Sequence, residues 1–298
     1  MSEPVGVIRD VGYERYAGSR RAPSTRWRVL ARQQIASAWQ TWWQYKSAVA
    51  IAVLVTAVFG GLMYFFTDSA MFRGFRWVSN MPMTISDGAV PASLQWYRRA
   101  AFVLSTVTAA STIAGDRQSG AFALYIARST RPIDYIIGKI AAMLVLVGSL
   151  MVVGPVFLAV LRLGLFDDTD TLVAHLAIVP KVFAVGVLTT ITYAIVPLAV
   201  SSLFASRAQA IAVWAAYWLV AGSIAALLGA MTSGWIAAFD LPSALDSITN
   251  QIFGLHLSKR LRIPMDVAIG SIVIHVTLAI AIISISVRRA YRQGFGAS

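Results

Sequence analysis

Six long apolar runs divide the chain: Ala48–Phe66, Trp96–Ala114, Ile140–Leu161, Pro180–Phe204, Ala208–Met231 and Val267–Val287. About 20 apolar residues at ~1.5 Å rise per residue cross a ~30 Å hydrocarbon layer. Inside that layer a backbone must satisfy its own hydrogen bonds, so each run predicts a spanning helix. No long alternation of apolar and polar residues suggests a barrel instead. The first run begins only at residue 48 and is too long and poorly flanked for a cleaved signal peptide. The pattern predicts an all-α integral membrane domain with six transmembrane helices over 47–298.

Ahead of that domain, 1–25 is polar and predicts an irregular cytoplasmic terminus. Residues 26–46 differ. Trp27, Leu30, Ala31, Ile35, Ala38, Trp39 and Trp42 recur at steps of three and four, with Trp43 alongside. Arg28, Arg32, Gln33, Ser37 and Gln40 avoid that face. This predicts an amphipathic interface helix in the membrane plane, with Trp at the boundary and Arg among headgroups. Between the first two spans, Thr67–Gln95 predicts an irregular loop. In Leu241–Leu257, Leu241, Leu245, Ile248, Ile252 and Leu255 form one stripe behind Pro242, which predicts a short amphipathic or re-entrant helix.

The segment Ala114–Lys139 is polar yet carries the apolar stretch Phe122–Ile126. Asp116 suits the N-cap of a helix starting near Gln118 or Ser119. Gly120 suits close approach of another backbone. Arg128 falls at the helix C-terminus, where a cation is favoured by about 0.3–1 kcal/mol. Ser129 or Thr130 can cap the next helix, with Pro132 and Asp134 in its first turn. A break is expected around Ser129–Arg131, and Lys139 at the headgroup boundary. A helix of about ten residues exposing Phe122 and Tyr125 is marginal alone and needs a partner surface.

Composition supports the membrane reading: 58% of the 298 residues are hydrophobic and 13% charged, against about a quarter charged in a soluble domain. The net charge of +12 is carried by 21 Arg and 4 Lys against 13 acidic residues. With both termini cytoplasmic, the inside segments hold +11 and the outside +1, as the positive-inside rule asks. Arg98 and Arg99 are the outer exceptions and are expected to snorkel. The basic excess reads as topology plus attraction to a lipid bilayer. No soluble basic domain exists to bind nucleic acid. The absence of cysteine excludes disulfides, thiolate zinc sites and thiol nucleophiles.

Asp116-Arg117, Gly120 and Gly138-Lys139 stand at separations that resemble the permease subunits of ATP-binding-cassette transporters, the type-2 export family. Asp116 stands where Glu is usual, Ala121 replaces Thr, and Ser129-Thr130-Arg131-Pro132 shifts the proline. The resemblance extends to the interface helix, six spans, the loop after the second span and the element before the sixth. It implies that 114–139 is a coupling helix docking on a separate cytoplasmic ATPase, with Asp116, Arg117, Gly120, Phe122, Tyr125, Arg128 and Arg131 as contacts. It implies a homodimer in a bacterial inner membrane, its second and fifth spans dimer-facing. ATP and Mg²⁺ would sit on the partner, and no cofactor or metal on this chain. The expected cargo is lipid-like, amphipathic or polymeric.

No G-x-x-x-x-G-K-[ST] loop occurs, so no ATPase activity is expected here. Two other features draw notice. Asp167, Asp168 and Asp170 offer hard oxygen ligands, and a membrane enzyme built on them is one alternative. A solvated loop explains them more simply, since only one acidic cluster exists. His275 falls mid-span and is a candidate by position, with a hydrogen bond to a neighbouring helix expected. No Asp or Glu lies well inside a span, which argues against proton or sodium coupling. A non-transporting scaffold or sensor is the other alternative. Pro155 and Pro197 predict helix kinks.

Overall fold

The computed structural model describes residues 25–40, 45–68, 81–127, 130–166, 169–231, 234–255 and 263–293. Among them the protein is all helical. The elements are α1 (Arg26–Gln40), α2 (Ser47–Asp68), α3 (Met81–Val107), α4 (Ala109–Gln118), α5 (Ala121–Ala127), α6 (Pro132–Gly148) and α7 (Gly154–Gly164). Then follow α8 (Thr169–His175), α9 (Ile178–Leu203), α10 (Arg207–Ala216), α11 (Gly222–Met231), α12 (Leu241–Ile252) and α13 (Met265–Gln293).

Among the described residues five segments are long and apolar enough to cross a membrane: Ser47–Phe65, Pro132–Gly164, Thr169–Leu203, Arg207–Gly229 and Met265–Arg292. By helix length and hydropathy this is a multi-pass membrane protein. The run Trp96–Ala114 does not join that set. It lies in α3 and α4, where Arg98, Arg99 and a series of Ser and Thr lower the hydropathy. Those hydroxyls are turned to protein rather than lipid. Ser105 and Thr108 are buried and bond back to the Phe102 and Leu104 carbonyls. The loop expectation for Thr67–Gln95 also fails from Met81 onward, because α3 begins there and carries Pro91 inside it.

The helices pack around α9, which touches α3, α4, α6, α7, α10, α12 and α13. α9 buries its hydroxyls as well as its apolar side chains: Thr189, Thr190, Thr192, Ser201 and Ser202 are all buried. Ser201 reaches into α4, where its Oγ accepts from the Ile113 and Ala114 N–H groups, each at 3.0 Å. Such contacts let most of a polar stripe sit inside an apolar bundle with its groups paired, the Thr189 hydroxyl being unpartnered among the described residues. The third apolar run continues through a π-helical turn, Ser149–Val153, directly before Pro155. Proline lacks the N–H that an α-helix needs at that point, so the widened turn absorbs the kink expected there.

α1 forms with the two faces the sequence predicts, and Arg28, Arg32, Gln33, Ser37 and Gln40 are all exposed. Its buried residues are Ala31 and Ala38, which pack on α6, while Trp39 is 54% exposed. The small side chains let two helices approach closely. At the contact, a Cβ on Gly138 would lie 2.9 Å from both the Trp27 carbonyl oxygen and Leu30 Cβ. Arg28 lies over the Trp27 ring at 5.5 Å and Lys46 over Trp39 at 6.0 Å. Trp42, Trp43 and the irregular terminus predicted for 1–25, apart from Thr25, lie outside the described residues.

Candidate functional site

The segment 114–139 folds as a helix end, a tight turn, a short helix and a re-entry. α4 runs on through Asp116 and Arg117, so Asp116 does not cap α5 as its sequence position suggested. Gly120 ends α4 with φ +70°, a conformation nearly free for glycine alone. Its N–H donates to the Arg117 carbonyl at 3.1 Å. A Cβ on Gly120 would meet nothing within 4 Å, so the close approach expected there is not made within the chain. α5 follows, and then a break. Arg131 is extended, Pro132 opens α6 and Asp134 lies in the first turn. The Thr130 N–H donates back to the Tyr125 carbonyl at 3.1 Å. The break therefore falls where it was predicted, at Thr130 and Arg131. Arg128 and Ser129 lie outside the described residues.

Beneath this turn lies a polar node that joins five helices. Asp116 Oδ2 accepts from Lys139 Nζ at 2.8 Å and from the Tyr135 hydroxyl at 2.7 Å. Lys139 Nζ also donates to Gln34 Oε1 on α1 at 2.8 Å. Lys139 is 4% exposed. Its charge is held inside the protein by a carboxylate, an amide and the Tyr135 ring at 5.4 Å. Arg117 Nη2 donates to the Ser286 carbonyl at 3.1 Å and to its hydroxyl at 2.9 Å, which ties α4 to α13. Ser286 in turn donates to the Ser202 carbonyl on α9 at 2.5 Å. The Arg207 guanidinium covers Gly115, where a Cβ would lie 2.8 Å from the Arg207 Cζ.

An aromatic group locks α5 onto this node. Phe122 is buried, 5.1 Å from the Tyr135 ring and 5.7 Å from Tyr291 in an edge contact. Tyr125 lies 5.4 Å from Tyr135. Burial first, and the Asp116 carboxylate second, push the Tyr125 phenol above its ordinary value. Phe122 therefore serves its own chain rather than an external surface. Leu124 faces the other way and is 65% exposed, and Gly120 and Arg131 are exposed beside it. Of the residues singled out in this segment, Asp116, Arg117, Phe122 and Tyr125 are drawn together inward, and Gly120 and Arg131 outward. The sequence reading passed over Tyr135, Gln34, Ser286 and Tyr291. Only Lys139 carried a signal, as the cation of the Gly138-Lys139 pair ahead of the third apolar run.

A second polar group is built around Arg98, within α3. Arg98 is 4% exposed; it ion-pairs with Asp246 and donates to Thr249 Oγ1 at 3.0 Å. It does not snorkel. Arg99 is exposed and lies over the Trp96 ring at 4.4 Å. Asp240 caps α12, accepting from the Ser243 N–H at 2.9 Å and hydroxyl at 2.6 Å. Pro242 follows in the first turn, as the sequence predicted.

The remaining candidates hold less. His275 Nδ1 pairs with the Ser271 carbonyl one turn back on its own helix at 2.8 Å, rather than with a neighbouring helix. Asp170 is exposed in the first turn of α8, and Asp167 and Asp168 lie outside the described residues. Among the described residues no three His, Asp, Glu or Cys side chains gather as a metal site. Comparison with known protein families finds none that matches this chain. Comparison with curated proteins finds no match either.

Proposed function

We propose that this chain is the transmembrane permease subunit of an ATP-driven transporter, energised by a separate ATPase that docks on 114–139. In this reading α3 and α4 complete six spans, both termini are cytoplasmic, and two copies pair in a bacterial inner membrane. ATP and Mg²⁺ belong to the partner. The cargo is lipid-like, amphipathic or polymeric. The observation that carries the reading is the build of the α5 turn. Its outer face, with Leu124, Gly120 and Arg131, is open, and its inner face is fastened to α1, α4, α6 and α13 through Asp116, Lys139, Tyr135, Phe122 and Tyr291. A push on the outer face would reach those helices as one body, because the contacts between them are buried and charge-assisted.

The test is co-expression with candidate ATPases followed by purification in mild detergent. Leu124→Arg changes an exposed side chain and leaves the fold intact. It should weaken ATPase association at least about tenfold, the scale of a central interface residue. Gly120→Trp should do the same or uncouple hydrolysis from transport, with membrane insertion unchanged. Undiminished association and coupling in both variants would reject this docking face.

A further inference from the structure

The cavity between α3, α9, α11 and α12 has a volume of about 500 Å³, within the ordinary range for small-ligand sites. It lies about 27 Å along the helix axis from the Asp116 node, given ~1.5 Å per residue between Arg99 and Arg117. Its lining is mixed: Arg98, Arg99, Asp240 and Asp246 supply two charges of each sign, and Tyr193 and Trp218 supply aromatic wall. Trp218 is fixed in place. Its ring stacks on Phe102 at 4.1 Å and its Nε1–H donates to the Tyr193 hydroxyl at 3.0 Å. The side chain of Asp246 is 43% exposed, so the cavity has a mouth.

Two charges in this lining are incompletely used. Asp240 is 2% exposed, and its Oδ1 has no hydrogen-bond partner among the described residues. Gly222 makes the room for this carboxylate, since a Cβ there would meet Oδ1 at 3.1 Å. A buried carboxylate oxygen without a donor is costly, and burial pushes the Asp240 carboxyl up against the opposing pull of Ser243. Arg99 has no ion pair among the described residues, only the Trp96 face. A simple anion would bring its charge toward Asp240, and a simple cation toward Arg98 and Arg99. A ligand carrying both signs meets neither penalty.

We propose that this cavity binds a small zwitterion, its ammonium held by Asp240 and its anionic group by Arg99, against the Trp218–Tyr193 wall. Two sources supply such a ligand, a zwitterionic lipid headgroup or a free ammonium-phosphate compound. The site needs neither the ATPase nor the α5 turn, so loss of ATPase docking in the tests above leaves it standing.

The experiment uses the full chain in phospholipid-free detergent, dialysed to equilibrium against radiolabelled phosphoethanolamine, with inorganic phosphate and ethanolamine as half-ligands. Phosphoethanolamine should bind at about one per chain and at least about tenfold tighter than either half, as two charge-assisted contacts imply. Asp240→Asn and Arg99→Gln should each weaken it about tenfold or more. Asn is as good a cap as Asp, so the first variant retains α12, which circular dichroism checks. In parallel, native mass spectrometry asks whether a zwitterionic phospholipid co-purifies with the wild type and is lost from Asp240→Asn. Retention selective for the wild type identifies a headgroup as the source. Dialysis binding without retained lipid identifies a free compound. Neither signal, or binding indifferent to both substitutions, overturns the proposal and leaves the cavity to water.

Discussion

At one end of the bundle Asp116 is pinned by Lys139 and Tyr135, and Lys139 by Gln34 as well. At the other, Asp240 and Arg98 are as deeply buried but border a cavity, and one carboxylate oxygen is unpartnered. Both ends place charge where a membrane protein can least tolerate it. The first spends that charge on holding helices together through Asp116, Lys139, Tyr135 and Gln34, although Arg117 Nε and the Tyr291 hydroxyl nearby are buried without a hydrogen-bond partner among the described residues. The second keeps part of it in reserve. A charge pair clamped between helices can transmit force, and an unpartnered carboxylate oxygen beside a void can recognise a ligand.

The largest expected effect breaks the first half of that contrast. Lys139→Met leaves Asp116 in place with its principal partner gone and should cost about 3–5 kcal/mol. Thermal unfolding of the purified protein in detergent measures it. The double variant Asp116→Leu with Lys139→Met removes both charges and should recover most of the loss, because a buried pair often contributes little over an apolar one. If the single substitution costs under about 1 kcal/mol, the node behaves like a surface pair and the contrast fails.

A smaller effect sharpens the contrast through the way α1 is attached. Gly138→Leu drives a side chain into the Trp27 carbonyl and Leu30, an overpacking that should cost about 1–3 kcal/mol. It should also release α1, raising the accessibility of Trp27 to a water-soluble fluorescence quencher. Gly61→Leu is the control. A Cβ there meets nothing within 4 Å, so its cost should stay within about 0.5 kcal/mol. Equal costs at the two glycines would mean that α1 is not held by this contact.

The chain announced its helices through hydropathy, and the break at Thr130–Arg131 through Pro132 and Asp134, because these signals are local. Its errors came where a residue's role depends on something distant. Asp116 looks like a helix cap within its own segment, and only the fold brings Lys139 and Tyr135 to it. Lys139 and Arg98 look like unpaired cations because the sequence does not show their carboxylates. The apolar face of α1 was legible from its three- and four-residue spacing, but not that its small members, Ala31 and Ala38, are the ones buried. Asp240 drew no notice, since an Asp before Leu-Pro reads as an ordinary turn until Gly222 and the cavity stand beside it.

The smallest effect tests the reserve at Asp240 through pH. The charged and titratable groups around it are Arg98 on α3, Asp246 on its own helix, Tyr193 on α9, Tyr217 before α11 and His275 on α13. Its carboxyl is raised, by burial above all, so its ionised form is the disfavoured one in the folded protein. The stability it contributes is present below the ordinary carboxylate value and is lost as pH rises through its raised folded value. In ligand-free detergent, the unfolding temperature of the wild type should fall by a few degrees across that interval, relative to Asp240→Asn. The substitution keeps the cap and removes the titration, so the remaining slope belongs to the neighbours. If the two proteins lose stability in parallel, the carboxylate is already satisfied in the apo cavity, and the two ends of the bundle no longer differ in the way their buried charge is used.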